Sequence, residues 1–412
     1  MSKIFLIISL YSSVIGAFAS VSAIAVAHIS GAISFIAFLF LKDKKLNLKN
    51  LTKSQISLLG FSLFIILSLI VNKETAQEFY RYLGHIKYYL HPLLLIPLLK
   101  YHRLPMSFWK KLLWFTLFVV SLVTISGLSE HFYGYNFLRP KLNHLGGRAR
   151  GVSGMIMTYA HNISFILSML LGLIIYSIKK VKAPLKFALI GSAFIFALGL
   201  YFSETRGAWL GFVGSITFLF YEKGNFKKFL TSSFAIVGVF LLLLFQTGKI
   251  ERFDLQGSKA RSNTVRIGLF KSAMMASLEN PFFGIGHKQY QKNSVALKKK
   301  FGVTEGDKFS GHAHNNYFEA FADLGLVGGS FFILWLVFWI FESGFSDPVS
   351  KIVSVFAINF SISGLTQYTA GDGENIVFVG LIFALGYYFK ECGSGGTSWI
   401  RTGDRPVMSR EL

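Results

Sequence analysis

The sequence predicts an all-α, polytopic membrane protein, and three observations predict it: the composition, a series of apolar runs of spanning length, and basic charge in alternate loops. Of the 412 residues, 52% are hydrophobic and 15% charged, with mean hydropathy +0.51, whereas soluble domains carry about a quarter charged residues. The net charge of +22 would suggest nucleic acid in a soluble domain. Here the basic residues sit in short runs between apolar segments, the positive-inside pattern, so membrane lipids are the expected surroundings and nucleic acid is not a partner. With Cys392 as the sole cysteine, an intramolecular disulfide and a thiolate metal cluster are both excluded.

Apolar runs lie at about 4–19, 21–41, 56–72, 86–99, 112–128, 154–178, 186–202, 208–221, 229–245, 318–341, 350–368 and 375–389, which makes about twelve transmembrane helices. Lys3 before the first run and Ala17 and Ala19 near its end resemble a signal peptide, expected to stay as an uncleaved first helix. With a cytoplasmic N-terminus, Lys42, Lys44, Lys45, Lys49 and Lys53 fall in one cytoplasmic loop, Lys100, Arg103, Lys110 and Lys111 in the next. Lys179, Lys180, Lys182 and Lys186 follow, then Lys223, Lys227 and Lys228. The expected organisation is 1–245 for helices one to nine, 246–316 for a larger periplasmic helical segment, 317–391 for helices ten to twelve, and 392–412 for a disordered or appended tail without assigned function.

The loops on the opposite side favour arginine: Arg139, Arg148 and Arg150 before the sixth helix, Arg206 in the short turn after the seventh, and Arg252, Arg261 and Arg266 in the long segment. The positive-inside bias disfavours cations there, so they need another reason. A guanidinium fork fits phosphate or carboxylate oxygens two at a time, which calls for an anionic partner; lipid headgroup phosphates are the plainer alternative for Arg139, Arg148 and Arg150. Within the long segment, Val265, Ile267, Leu269, Phe270, Ala273, Met274 and Leu278 predict a helix starting near Asn263 or Thr264, Asn280-Pro281 and Gly284-Ile285-Gly286 break it, and a second helix is expected from His287 to Lys300. Its last residues, Lys298, Lys299 and Lys300, read as a solvated patch.

Gly311-His312-Ala313-His314-Asn315-Asn316-Tyr317 places two imidazoles where that polar segment enters the tenth helix. Ionisable groups at a membrane edge are costly unless they are paired or face water, and so mark a functional site. Asn315 is a preferred N-cap residue for the helix that follows. Tyr159 and His161, within or beside the sixth helix, line the same side or pack in the core. No Asp-x-Asp pair occurs, and histidines two residues apart make a poor helical ligand pair, so neither metal nor cofactor is expected.

Together, Arg148-Ala149-Arg150-Gly151-Val152-Ser153-Gly154 with Met157-Thr158-Tyr159-Ala160, Ser203 to Trp209, Arg266 with Asn280-Pro281, His312 to Tyr317, and Gly325-Leu326-Val327-Gly328 resemble the O-antigen ligase (WaaL) group within the O-antigen ligase and Wzy-type polymerase superfamily. The resemblance spans about 148–329; the helices before it are similar only in hydropathy. It implies a glycosyltransferase of the bacterial inner membrane that moves a glycan from undecaprenyl diphosphate to lipid A core at the periplasmic face. Displacing a diphosphate needs positive charge at the developing oxyanion and a base for the acceptor hydroxyl. By the resemblance, Arg206 and Arg266 hold the diphosphate and His314 is the base, with His312 its rival; Arg148, Arg150, His312, Asn315 and Tyr159 are expected substrate contacts. A polymerase or protein O-oligosaccharyltransferase would use the same donor chemistry on another acceptor. A secondary transporter would share the topology, although no internal repeat is evident.

Overall fold

The computed structural model describes residues 51–72, 76–101, 104–140, 147–222, 224–246 and 260–394, with isolated positions between 7 and 36. The expected runs at 4–19 and 21–41, the lysines at 42–49 and the stretch 247–259 therefore fall outside the described residues wholly or in large part.

All described regular structure is helical, as expected. In chain order the helices are α1 (Lys53–Val71), α2 (Ala76–Leu83), α3 (Ile86–Tyr101), α4 (Met106–Tyr133), α5 (Ile156–Ser177), α6 (Ala183–Phe202) and α7 (Arg206–Ile216). They continue with α8 (Phe226–Gln246), α9 (Ala260–Glu279), α10 (Gln289–Lys300), α11 (Asn316–Ser343), α12 (Pro348–Ser363) and α13 (Gly373–Ser394). Among the described residues, six helices are long and apolar enough to cross a membrane: α1, α4, α5 with its 3-10 extension, α6, α8 and α11. The runs in α3, α7 and α12 give helices of 16, 11 and 16 residues, short of the ~20 that a straight span needs. Pro92 and Pro97 lie inside α3, where each removes a backbone donor. This is a polytopic membrane protein.

The core is aromatic and tightly layered. Trp335 and Trp339 of α11 stack at 6.0 Å, and Phe356, Phe360 and Phe383 of α12 and α13 close around them. Burying rings of this size fixes α11 as the central post, since each removes a large apolar area from solvent or lipid competition. Polar side chains stitch α12 to α5: Asn359 donates to Ser164 of α5 at 2.9 Å, and Ser363, one turn along α12, donates to Asn359 at 3.1 Å. A Cβ at Gly211 of α7 would sit 2.1 Å from Ser363 Oγ, so the glycine permits α7 to cross α12 closely. That crossing carries the start of α7, and Arg206 with it, to the end of the bundle where α11 begins.

At that same end the 260–315 segment folds onto the bundle. Helix α11 breaks at Gly325 (φ 72), a left-handed conformation that favours glycine. Leu326 N–H then donates to Pro281 O at 2.6 Å, and a Cβ at Gly284 would sit 2.4 Å from the Asp323 backbone. Gly325, part of the Gly325-Leu326-Val327-Gly328 motif, thus sets this turn. The start of α9 at Ala260 also corrects the expected N-cap at Asn263 or Thr264, which lie one turn inside the helix.

Candidate functional site

The loop before α11 is held from several sides. Gly311 N–H donates to Ser294 Oγ at 3.1 Å, Ala313 N–H to Glu319 Oε2 at 2.5 Å, and Asn316 N–H to Gly364 O at 2.7 Å. Asn315 Oδ1 accepts from the N–H groups of Tyr317 and Phe318, capping α11, and its Nδ2 donates to Leu365 O at 2.9 Å. Both ends of the Asn315 side chain are therefore engaged within the protein, the oxygen as the cap of α11.

The two imidazoles are packed edge to face, ring centroids 4.2 Å apart, and their nitrogens are used differently. His314 N–H donates to His312 Nδ1 at 3.1 Å, so that nitrogen is an acceptor and the neutral His312 carries its proton on Nε2. His314 Nδ1 lies 2.8 Å from Gln367 Oε1; with the amide oxygen accepting, Nδ1 holds the proton and Nε2 presents a lone pair. Burial, then His314, Lys288 and Arg266, push His312 down to about 3. Burial and Arg266 also lower His314, against the Gln367 hydrogen bond.

Two arginines from different elements meet at α9, and one of them acts on this loop. Arg206, the first residue of α7, donates from Nη2 to Asn263 Oδ1 of α9 at 3.1 Å. Arg266 follows one turn along α9, and burial, then the Arg206 guanidinium, hold it below the ordinary arginine range. A second positive charge thus adjoins Arg266, and Arg266 in turn lies close enough to both histidines to disfavour their protonation. His161 of α5 is fully buried with Nδ1 2.7 Å from Met157 O, and a Cβ at Gly207 would sit 3.6 Å from its Nε2.

Backbone strain collects at the same place. The non-glycine residues with positive φ among those described are Glu204, Lys288 and His314. Glu204 shapes the turn that delivers Arg206, and His314 is the candidate base. Such conformations cost about 1–3 kcal/mol each and persist where the surrounding contacts impose them.

The remaining predicted site residues lie elsewhere. Arg150 is 2% exposed and forms a 2.8 Å ion pair with Glu130 of α4, whose other oxygen accepts from Asn136 at 3.1 Å. Arg148 donates to Ser203 O at 2.7 Å and Thr205 Oγ1 at 3.0 Å, tying its loop to the α6–α7 turn. Tyr159 is buried against α4 and α6, its hydroxyl 2.5 Å from where a Cβ at Gly199 would lie. Arg148 thus braces the turn before Arg206, whereas Arg150 and Tyr159 are buried against α4 and α6.

A further group, unassigned in the sequence, underlies the loop. Asp323 of α11 accepts from the N–H groups of Lys288 at 2.7 Å and Tyr290 at 3.0 Å, fixing the entry to α10. Lys288 Nζ lies 4.5 Å over the Tyr368 ring and donates to Gly371 O at 3.3 Å. Burial lowers Lys288, against the pull of Glu319, Asp323 and Asp372. Burial likewise raises Asp372, which accepts from Thr158 Oγ1. The signal for Glu319 and Asp323 was present: two carboxylates four residues apart inside an apolar run are intramembrane ionisable groups. Lys298, read as solvated, is instead buried, its ammonium donating to Gly306 O and to Phe309 O at 2.6 Å.

Residues 191–333 match the Wzy_C family model, described as O-antigen ligase. The matched segment runs from within α6 to within α11 and contains Arg206, Arg266, Lys288, His312 and His314. An uncharacterized protein of Haemophilus influenzae is 28% identical over 188 residues, 41% of this chain and 47% of its own length. The chain thus matches about half the length of that relative.

Proposed function

We propose, from the O-antigen ligase superfamily domain that residues 191–333 carry, that this protein is a metal-independent glycosyltransferase of the bacterial inner membrane. It transfers O-antigen glycan from undecaprenyl diphosphate to lipid A core at the periplasmic face. The carrying observation is the chain of contacts from Arg206 of α7, which donates to Asn263 of α9 at 3.1 Å, to Arg266 one turn along α9, whose charge lies close enough to lower the proton affinity of His314 in the loop before α11.

In this mechanism the guanidinium pair binds the diphosphate and stabilises the charge that develops as the sugar C1–O bond breaks. His314 Nε2 takes the proton of the acceptor hydroxyl as its oxygen bonds to C1; the diphosphate leaves with the electron pair of the broken bond. Gln367, accepting from Nδ1 at 2.8 Å, holds the tautomer that keeps Nε2 free of a proton, the orienting role that a base requires. His312, with Nδ1 engaged by the His314 amide, supports the loop. This difference favours His314 over His312.

The test is a purified-component assay offering lipid A core, a growing glycan and a protein as acceptors. Transfer to lipid A core that is lost in His314→Ala supports the proposal. Preference for another acceptor would move the protein to the polymerase or protein-glycosylating class, and normal transfer by His314→Ala would remove the proposed base.

A further inference from the structure

Helix α9 is inside out for a helix in water. Its inner face consists of Gly268, Leu269, Ser272, Ala273, Ala276 and Ser277, all buried and mostly small or hydroxylic. Its outer face presents Ile267, Met274 and Leu278 at 47%, 53% and 60% exposure, with Phe282 beyond the helix end at 69%. A surface helix of a soluble domain reverses this arrangement, and contiguous exposed apolar side chains mark an interaction surface. The inner face is small because the neighbours are close: a Cβ at Gly268 would lie 1.8 Å from Glu305 O.

The position of the stripe identifies its occupant. Its Phe282 end is seated on two membrane-spanning helices, through Leu326 N–H to Pro281 O at 2.6 Å on α11 and Asn72 Nδ2 to Gly284 O at 3.3 Å at the end of α1. Around that seam, Ile70, Val71, Leu326 and Val327 are also exposed apolar residues. The outer face of α9 thus continues the lipid-facing surface of the spans. Lys271, in the middle of the stripe, turns its ammonium to Glu305, as a lysine does when its stem lies along an apolar surface.

We propose that α9 is an interfacial helix, its Ile267, Met274, Leu278 and Phe282 stripe embedded at the headgroup and acyl boundary of the adjacent leaflet. The 246–316 segment is then partly a membrane-surface element. A consequence that rests on the proposed donor is that Arg266, next to Ile267, is held at the depth of a lipid carrier's diphosphate.

The test uses the full chain in lipid vesicles, with the sole cysteine removed as Cys392→Ser and single cysteines placed by Met274→Cys, Leu278→Cys or, as the aqueous control, Lys299→Cys on α10. Each is labelled with bimane and exposed to lipids carrying a doxyl group high on the acyl chain, and separately to aqueous iodide. Doxyl lipid quenching most of the emission at 274 and 278 but little at 299, with iodide showing the reverse, is the expected result. Iodide quenching at 274 and 278 equal to that at 299 overturns the proposal. So does protection at those positions that disappears on dilution of the protein in the vesicles, the signature of a second copy as occupant. Neither readout depends on transfer activity, so the inference and the proposed function fail separately.

Discussion

Arg150 lies 2.8 Å from Glu130, both side chains 2% exposed, whereas Arg266 has no carboxylate within ion-pair distance among the described residues and adjoins a second guanidinium. Before the fold is known, both belong to arginine motifs expected on the same side of the membrane. The fold neutralises one charge internally and concentrates the other beside two histidines. Burial of Arg150 is compatible with stability because its partner is buried with it; a lone charge there would carry a large desolvation cost. Arg266 instead keeps its charge beside the histidines, at the expense of repulsion from the Arg206 guanidinium. Arginine on a face where orientation rules disfavour it therefore has two physical meanings, and the difference is the partner.

The contrast is broken most strongly at the base. His314→Ala is expected to lower transfer by about 10²–10⁴-fold, with His312→Ala losing less, measured as initial rate per folded enzyme. Equal losses would put the two imidazoles in one role. On the other side of the comparison, Glu130→Ala leaves Arg150 buried without its carboxylate and should cost about 3–5 kcal/mol of stability, read by thermal unfolding in detergent. The Glu130→Leu, Arg150→Met double variant should recover much of that stability and keep its activity per folded molecule.

A smaller effect is expected from Gly207→Ala. The added Cβ would meet Thr366 Oγ1 at 2.2 Å and push the first turn of α7, costing about 1–3 kcal/mol and loosening donor binding; an unchanged KM for donor would show that Arg206 tolerates the shift. The smallest is a pH shift. Since His314 is held below the ordinary value of about 6.5, its neutral, base-competent form persists below that pH. The acid limb of kcat/KM should therefore fall below about 6.5. Arg266→Gln removes a neighbouring cation and should move that limb upward, whereas the Glu130→Leu, Arg150→Met pair should leave it in place.

Much of the membrane architecture was legible because hydropathy and loop charge act locally along the chain. Fold class, the two helices of the 260–300 segment and the cap at Asn315 could all be read from neighbouring residues. What sequence could not resolve was partner choice through space. Arg150 and Arg266 look alike until Glu130, twenty residues before Arg150 and within α4, claims one of them. Lys298 reads as one of three solvated lysines, yet its ammonium finds two carbonyls in the loop that follows and can be buried. Asp323 was hidden in an apolar run, where its carboxylate fixes the backbone of α10 by hydrogen bonds to residues more than thirty positions earlier. The tautomer of His314 likewise depends on Gln367, which lies beyond α12.

The central claim, that Arg206 and Arg266 are the diphosphate-binding charges while Arg150 is structural, is tested most directly by equilibrium binding of undecaprenyl diphosphate. The comparison is between the native chain, Arg206→Gln, Arg266→Gln and the Glu130→Leu, Arg150→Met pair. Loss of one charge-assisted contact worth about 1.5–3 kcal/mol predicts Kd raised roughly 10- to 100-fold in either glutamine variant and unchanged in the Glu130 and Arg150 pair. An unchanged Kd in both glutamine variants, or an equal rise in the Glu130 and Arg150 pair, would contradict it.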